Sequence, residues 1–309
     1  MFNFLKSMAV EKPFLVPSNV CPIVPLVFLK ANCRFEFVDI CERTLCMDES
    51  IAIAKLKHQP DGYAGVLFVR SYGVMTPVDT FFKAIKEIRE DLIVIDDRCL
   101  SVPDFHFEVQ RWHDITLYST GYSKFADIGF GGYAQIKDDH HYVRHQTAFA
   151  ERDLNTITAQ YKGAIERRQS FAYVDSDWLE TSPPKISFPS YQKEVENKIS
   201  EVADWKEAIN RVYAEKIPRS IQLAPEYQLW RFNILVPAKE QLLSQIRKSG
   251  LFASSHYASL DGIFSDGRSA TAEKVHTRIV NLFNDKYFDI ERAHAIAEIV
   301  NAHLEKYIN

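Results

Sequence analysis

The sequence predicts an α/β protein: a mostly parallel sheet layered between helices, followed by a smaller α+β unit. Three observations predict it. Short β-type apolar runs alternate with helix-length segments from Phe14 to Ile136. Several of those runs end in polar groups, as strands do when a crevice lies beyond their carboxyl ends. From Tyr191 onward the pattern changes to a long helix, separated apolar runs and a terminal helix. The expected units are residues 1–185 and 186–309.

Phe14–Val16 reads as the first strand, ending at Pro17-Ser18. Pro22–Lys30 is apolar and enters a helix through proline, whose missing N–H has no helical partner in a first turn. Arg34–Val38 is a strand ending at Asp39, and Ser50–His58 a helix with Ile51, Ile53, Ala54 and Leu56 as its apolar side. Gly65–Val69 is continuously apolar, as a strand covered on both faces should be, and runs into Arg70-Ser71-Tyr72-Gly73. Val78–Arg89 carries Phe81, Phe82, Ile85 and Ile88 at helical spacing. Leu92–Ile95, Ile115–Tyr118 and Tyr133–Ile136 are the next strand-like runs.

Arg144, His145, Arg152, Arg167 and Arg168 then crowd residues 141–190 with charge, which marks the crossing between units. Tyr191–Glu215 reads as one long helix, Tyr227–Val236 as a strand closed by Pro237, and Ala238–Ser249 as a helix stopped by Gly250. His276–Phe283 is strand-like. Asp289–Tyr307 is a terminal helix with Ile296, Ile299, Val300 and Leu304 as its core stripe.

Composition narrows the function. The chain has 309 residues, 46% of them hydrophobic, and a formal net charge of −4 with mixed signs, which does not point to nucleic acid. No apolar run reaches the roughly 18 residues of a membrane span, and the first residues lack a signal-peptide core. Five cysteines with no C-x-x-C pair read as free thiols of a reduced, cytoplasmic protein. Asp138, Asp139, His140 and His141 have metal-ligand chemistry but read as a solvated loop, so no metal is expected.

The chemistry concentrates between Leu92 and Ile136. One strand ends in Asp96-Asp97. Its neighbour ends in Ser119, a small turn and Lys124, before the run Gly129-Phe130-Gly131-Gly132. An acid and a lysine beyond adjacent strand ends can face one crevice. That set suits pyridoxal phosphate (PLP): a lysine bonds the aldehyde, an acid holds the pyridine nitrogen protonated, and hydroxyls and amides hold the phosphate.

Val94-Ile95-Asp96-Asp97-Arg98-Cys99 resembles the V-I-E-D-A-A strand end of DegT/DnrJ-type nucleotide-sugar aminotransferases. Ser119-Thr120-Gly121-Tyr122-Ser123-Lys124 resembles their S-F-x-x-x-K segment. Leu15-Val16-Pro17-Ser18, Val69-Arg70-Ser71-Tyr72-Gly73 and the segment Gly250 to Tyr257 are similar to further family pieces, in the family's order. The resemblance implies PLP fold type I with a seven-stranded, three-layer large domain. It implies Lys124 as the lysine bonded to PLP, Asp97 as the partner of the pyridine nitrogen, and Ser119 and Tyr72 as further cofactor ligands. His256 and Tyr257 would face substrate. It also implies a homodimer that transfers an amino group from glutamate to a nucleotide-linked keto-sugar. Arg231 and Arg278 suit carboxylate or phosphate chemically, but are read as ordinary ion-pairing residues.

The chain departs from the family pattern in four places. A helix and a Gly-Thr/Ser-Ala-Leu phosphate-binding segment, expected ahead of the point matching Met1, are not seen. Cys21 stands where an aromatic residue would stack on the pyridine ring, and Leu100 replaces a glutamine. The Asn-Arg-rich segment that reaches the partner's site is not recognisable. These departures leave open an alternative, a non-catalytic relative acting as a binding or regulatory subunit. A sugar dehydratase of the same fold would carry histidine in place of Lys124.

Overall fold

The computed structural model describes residues 1–8, 11–109 and 111–307. A six-stranded sheet holds β1 (Phe14–Pro17), β2 (Phe35–Val38), β3 (Gly65–Val69), β4 (Ile93–Asp97), β5 (Ile115–Ser119) and β6 (Gly132–Ile136) in the order β2-β1-β3-β4-β5-β6. All neighbours are parallel except β5 and β6, which are antiparallel. Six strands form where seven were expected, because residues 14–136 supply six β-type runs and each makes one strand. The chain passes from β1 out to β2 and returns on the other side of β1 as β3. The strand order therefore reverses there, and a crevice opens beyond the carboxyl ends of β1 and β3.

Strand alternation sorts the side chains into two cores. Leu15, Val66, Phe68 and Val94 pack on one face with α3 (Glu49–His58) and α4 (Asp79–Ile88). Phe14, Val16, Leu67, Ile95 and Leu117 pack on the other with α1 (Phe2–Met8), α2 (Ile23–Lys30) and α5 (Glu151–Arg167). In α3 the buried residues are Ala52 and Leu56, while Ile51 is exposed. The helix starts at the Asp48 cap, whose carboxylate accepts from the Ser50 and Ile51 N–H groups.

The same alternation separates the two adjacent acids. Asp96, on the Val94 side, accepts from Arg70 Nε at 2.7 Å, Arg70 Nη2 at 2.9 Å and Arg98 Nε at 2.8 Å, all buried. Burial alone would push its carboxyl up, but the Arg70 hydrogen bonds and the charges of both arginines outweigh it and hold it below the usual range. A depressed folded pKa gives stability that is full above the ordinary carboxylate range and is lost as pH falls through the lowered value. Asp96→Ala strands two buried guanidinium groups and is expected to cost about 3–5 kcal/mol. Urea unfolding at neutral pH checks it; an unchanged midpoint would contradict this account of the triad.

The second sheet has three antiparallel strands, β7 (Phe232–Leu235), β8 (Ala253–Ser254) and β9 (Ile279–Leu282), in the order β7-β9-β8. It packs with α6 (Phe188–Lys216), α7 (Lys239–Lys248) and α9 (Ile290–Leu304) around Val212, Phe232, Val280 and Ile296. The run expected as one strand from His276 divides instead into α8 (Ala270–His276) and β9. The Asp39 carboxylate accepts from the Thr271 and Ala272 N–H groups, so the end of β2 caps α8. Among the described residues no helix is long and apolar enough to cross a membrane.

Candidate functional site

A cavity of about 410 Å³ is lined by residues that follow β1, β4 and β5. Val20 and Cys21 following β1, Ser123 and Lys124 following β5, Tyr161 and Lys162 of α5, and Trp230, Arg231, His256 and Tyr257 from the second half line it. The volume lies in the range of sites for small ligands.

Lys124 sits on the loop between β5 and β6, and several bonds shape that loop. The Asp127 carboxylate accepts from the Ser123 and Gly129 N–H groups, and Ile128 N–H donates to Thr120 O. Trp230 Nε1 donates to Ser123 O at 2.6 Å, tying the loop to the segment before β7. Gly131 closes the turn at φ +81°, a conformation that favours glycine, and a Cβ there would crowd Tyr191 and Thr120. The Lys124 amine has no ion-pair or hydrogen-bond partner among the described residues, and it lines the cavity.

Asp97, one residue on from the ion-paired Asp96, faces the opposite side of the sheet. It is 5% exposed, and among the described residues its carboxylate is held by Cys99, whose N–H donates to it at 2.9 Å. Burial pushes its carboxyl up, against the pull of Cys99 and of the Lys124 charge. Both Lys124 and Asp97 act on the Cys21 thiol, so acid, amine and thiol share one neighbourhood. A buried carboxylate with an oxygen to spare suits a cationic N–H donor such as a protonated pyridine nitrogen. A nearby unpartnered amine suits an aldehyde. These residues therefore fit PLP.

The remaining expected residues fall in different places. His256 and Tyr257 line the cavity. Burial and the Arg231 charge lower His256 to about 4, so its ring is neutral at pH 7, and its Nδ1 is buried without a partner. Tyr257 stacks on Trp230 with ring centroids 6.4 Å apart. Tyr72 does not line the cavity. It is 1% exposed, stacks on Trp230 with ring centroids 6.4 Å apart, and donates to His256 O at 2.8 Å, so it supports the cavity wall. Ser119 pairs with Gly132 at the end of β5 and also lies outside the lining. His140, from the acid–histidine loop, bonds the buried Asp114 at 3.1 Å.

Tyr161, Lys162 and Trp230 were not singled out from the sequence. Helix α5 buries only Ile157 and Ala164 fully, so its apolar stripe is too thin to read. Trp230 falls inside the run expected as a strand from Tyr227, but the strand begins only at Phe232, which leaves Trp230 in the segment before it.

No family model matches the chain, and no curated protein matches it. Solved structures do. One is a DegT/DnrJ/EryC1/StrS aminotransferase from Brucella abortus, at TM-score 0.65 and 16% identity over 97% of this chain and 83% of that one. PseC of Helicobacter pylori, an aminotransferase of pseudoaminic acid biosynthesis, matches at TM-score 0.69 and 15% identity over 99% and 84%. The sugar aminotransferase CalS13 of Micromonospora echinospora matches at 0.67 and 12% over 97% and 83%. At these identities the likeness shows the fold, and the fold is PLP fold type I.

Proposed function

We propose that this chain is a PLP-dependent aminotransferase of the DegT/DnrJ type, acting on a keto-sugar carried on a nucleotide with glutamate as amino donor. The observation that carries the reading is an unpartnered Lys124 amine that lines the cavity, with the buried Asp97 carboxylate just behind the lining and within reach of the Lys124 charge. The shared fold with sugar aminotransferases supports the substrate class.

When bound, PLP would supply an electron sink for the charge that develops when a substrate C–H bond breaks. Lys124 would hold the aldehyde carbon and afterwards carry the proton taken from the substrate's α carbon. Asp97 would keep the pyridine nitrogen protonated by offering its free oxygen. Neutral His256, with Nδ1 unpartnered, can accept a hydrogen bond from a sugar hydroxyl or donate one to its oxygen, and Tyr257 would pack beside the ring. A homodimer in the cytoplasm is the proposed working form.

Adding glutamate to protein reconstituted with PLP is expected to remove the visible band of the lysine-bound cofactor and release 2-oxoglutarate. Absorbance together with product analysis checks it. A band that glutamate, glutamine and other amino acids all leave unchanged would favour a non-catalytic binding subunit.

A further inference from the structure

We propose that Arg231, with Lys162 and His256, forms an oxyanion subsite in the wall of the cavity that Lys124 also lines, built to take a carboxylate or phosphate group. Arg231 is 4% exposed yet has no carboxylate within ion-pair distance among the described residues. Its guanidinium lies 3.3 Å from the Phe283 ring centroid and 4.9 Å from that of Trp230, and its hydrogen bond is a long one, 3.5 Å, to Ser254 Oγ. A buried guanidinium held by aromatic faces keeps most of its donor fork free. That fork matches the two oxygens of a carboxylate or phosphate.

The surroundings favour an anion there. Lys162 lines the same cavity from α5, and His256 offers a buried, unpartnered Nδ1. Behind the wall, buried Lys239 donates to Ser255 Oγ at 2.7 Å and to His276 O; both residues line the cavity. Burial, Lys239 and Arg168 lower His276 to about 3, and burial with Arg231 lowers His256 to about 4, so both rings are neutral at pH 7 and the cations along this wall are Arg231, Lys162 and Lys239. The acids near this wall are Glu166, exposed on α5, Asp97, whose charge reaches Tyr257, and Asp285, whose charge reaches Arg231 without pairing with it.

Two groups share the required chemistry: a carboxylate of the amino donor and the phosphate of the cofactor. Assigning the subsite to the donor rests on the proposed function. The anion site itself rests on Arg231. Calorimetry on the full chain at neutral pH, with glutarate and with inorganic phosphate, tests the site. PLP and pyridoxal titrations followed in the visible separate the sources.

Arg231→Gln is expected to weaken glutarate binding about tenfold to a hundredfold, the loss of a charge-assisted pair. Lys162→Gln, on an exposed helix face, should weaken it by less and guards against misfolding of the first variant. Exposed Arg278→Gln should leave it unchanged. If Arg231→Gln weakens glutarate but keeps the preference for PLP over pyridoxal, the anion is the donor's. If it abolishes that preference, the anion is the cofactor's phosphate. Should wild type bind glutarate through Arg231 yet develop no band with PLP, the cofactor reading fails and the subsite stands. The subsite is overturned if wild type binds neither glutarate nor phosphate, or if Arg231→Gln changes neither these affinities nor the preference.

Discussion

Lys124→Ala is expected to remove transaminase activity and the visible band of added PLP together. The lysine would serve twice, as the covalent holder and as the group that moves a proton at the substrate carbon. Loss of a positioned acid–base group alone costs about 10²–10⁴-fold in rate, and loss of the covalent bond adds to it. The fold should be unaffected, because the Lys124 amine makes no hydrogen bond or ion pair among the described residues. The loop around it is held instead by Asp127 and by Trp230 Nε1. A melting temperature equal to wild type with no band is the predicted pair of results. A variant that binds PLP with the same band and turns over normally would remove Lys124 from the site.

Asp97→Asn separates chemistry from folding. An amide cannot balance a pyridinium charge, so the half-reaction with glutamate should slow by roughly 10²–10³-fold, as when one electrostatic partner of a developing charge is lost. The stability effect has the opposite sign. A carboxyl raised by burial carries a cost that is absent below the ordinary carboxylate range and grows as pH rises through it. Asparagine removes that cost and still accepts from Cys99 N–H through its side-chain oxygen. Cofactor-free Asp97→Asn should therefore melt at or above the wild-type temperature at pH 7. A marked loss of stability would mean that Asp97 is a structural acid like Asp96, whose two arginine partners show what that role requires.

The two acids also show what the sequence can and cannot reveal. Their place at a strand end was legible, and so was Lys124 beyond the next strand. Which role each acid takes depends on the pleat: the Asp96 carboxylate turns to Arg70 and Arg98, and the Asp97 carboxylate, on the other side of the sheet, accepts from Cys99 N–H. Strands β1 to β6 were legible because continuous apolar runs of this length have few other uses. Helix α5 was not, because it is mostly exposed and its buried positions are too sparse to form a stripe. Arg231 reads in the sequence as one more ion-pairing arginine. Only its packing against Phe283 and Trp230, without a carboxylate, marks it as different. Ser119 and Tyr72 lie next to residues that reach the cavity, and spacing alone does not distinguish a wall from its support.

Reducing the PLP-loaded protein with borohydride, digesting it and locating the added phosphopyridoxyl mass bears most directly on the account. A single modified residue, Lys124, is the predicted result. An adduct on Lys162 or a surface lysine with Lys124 unmodified, or no adduct at saturating cofactor, would contradict it.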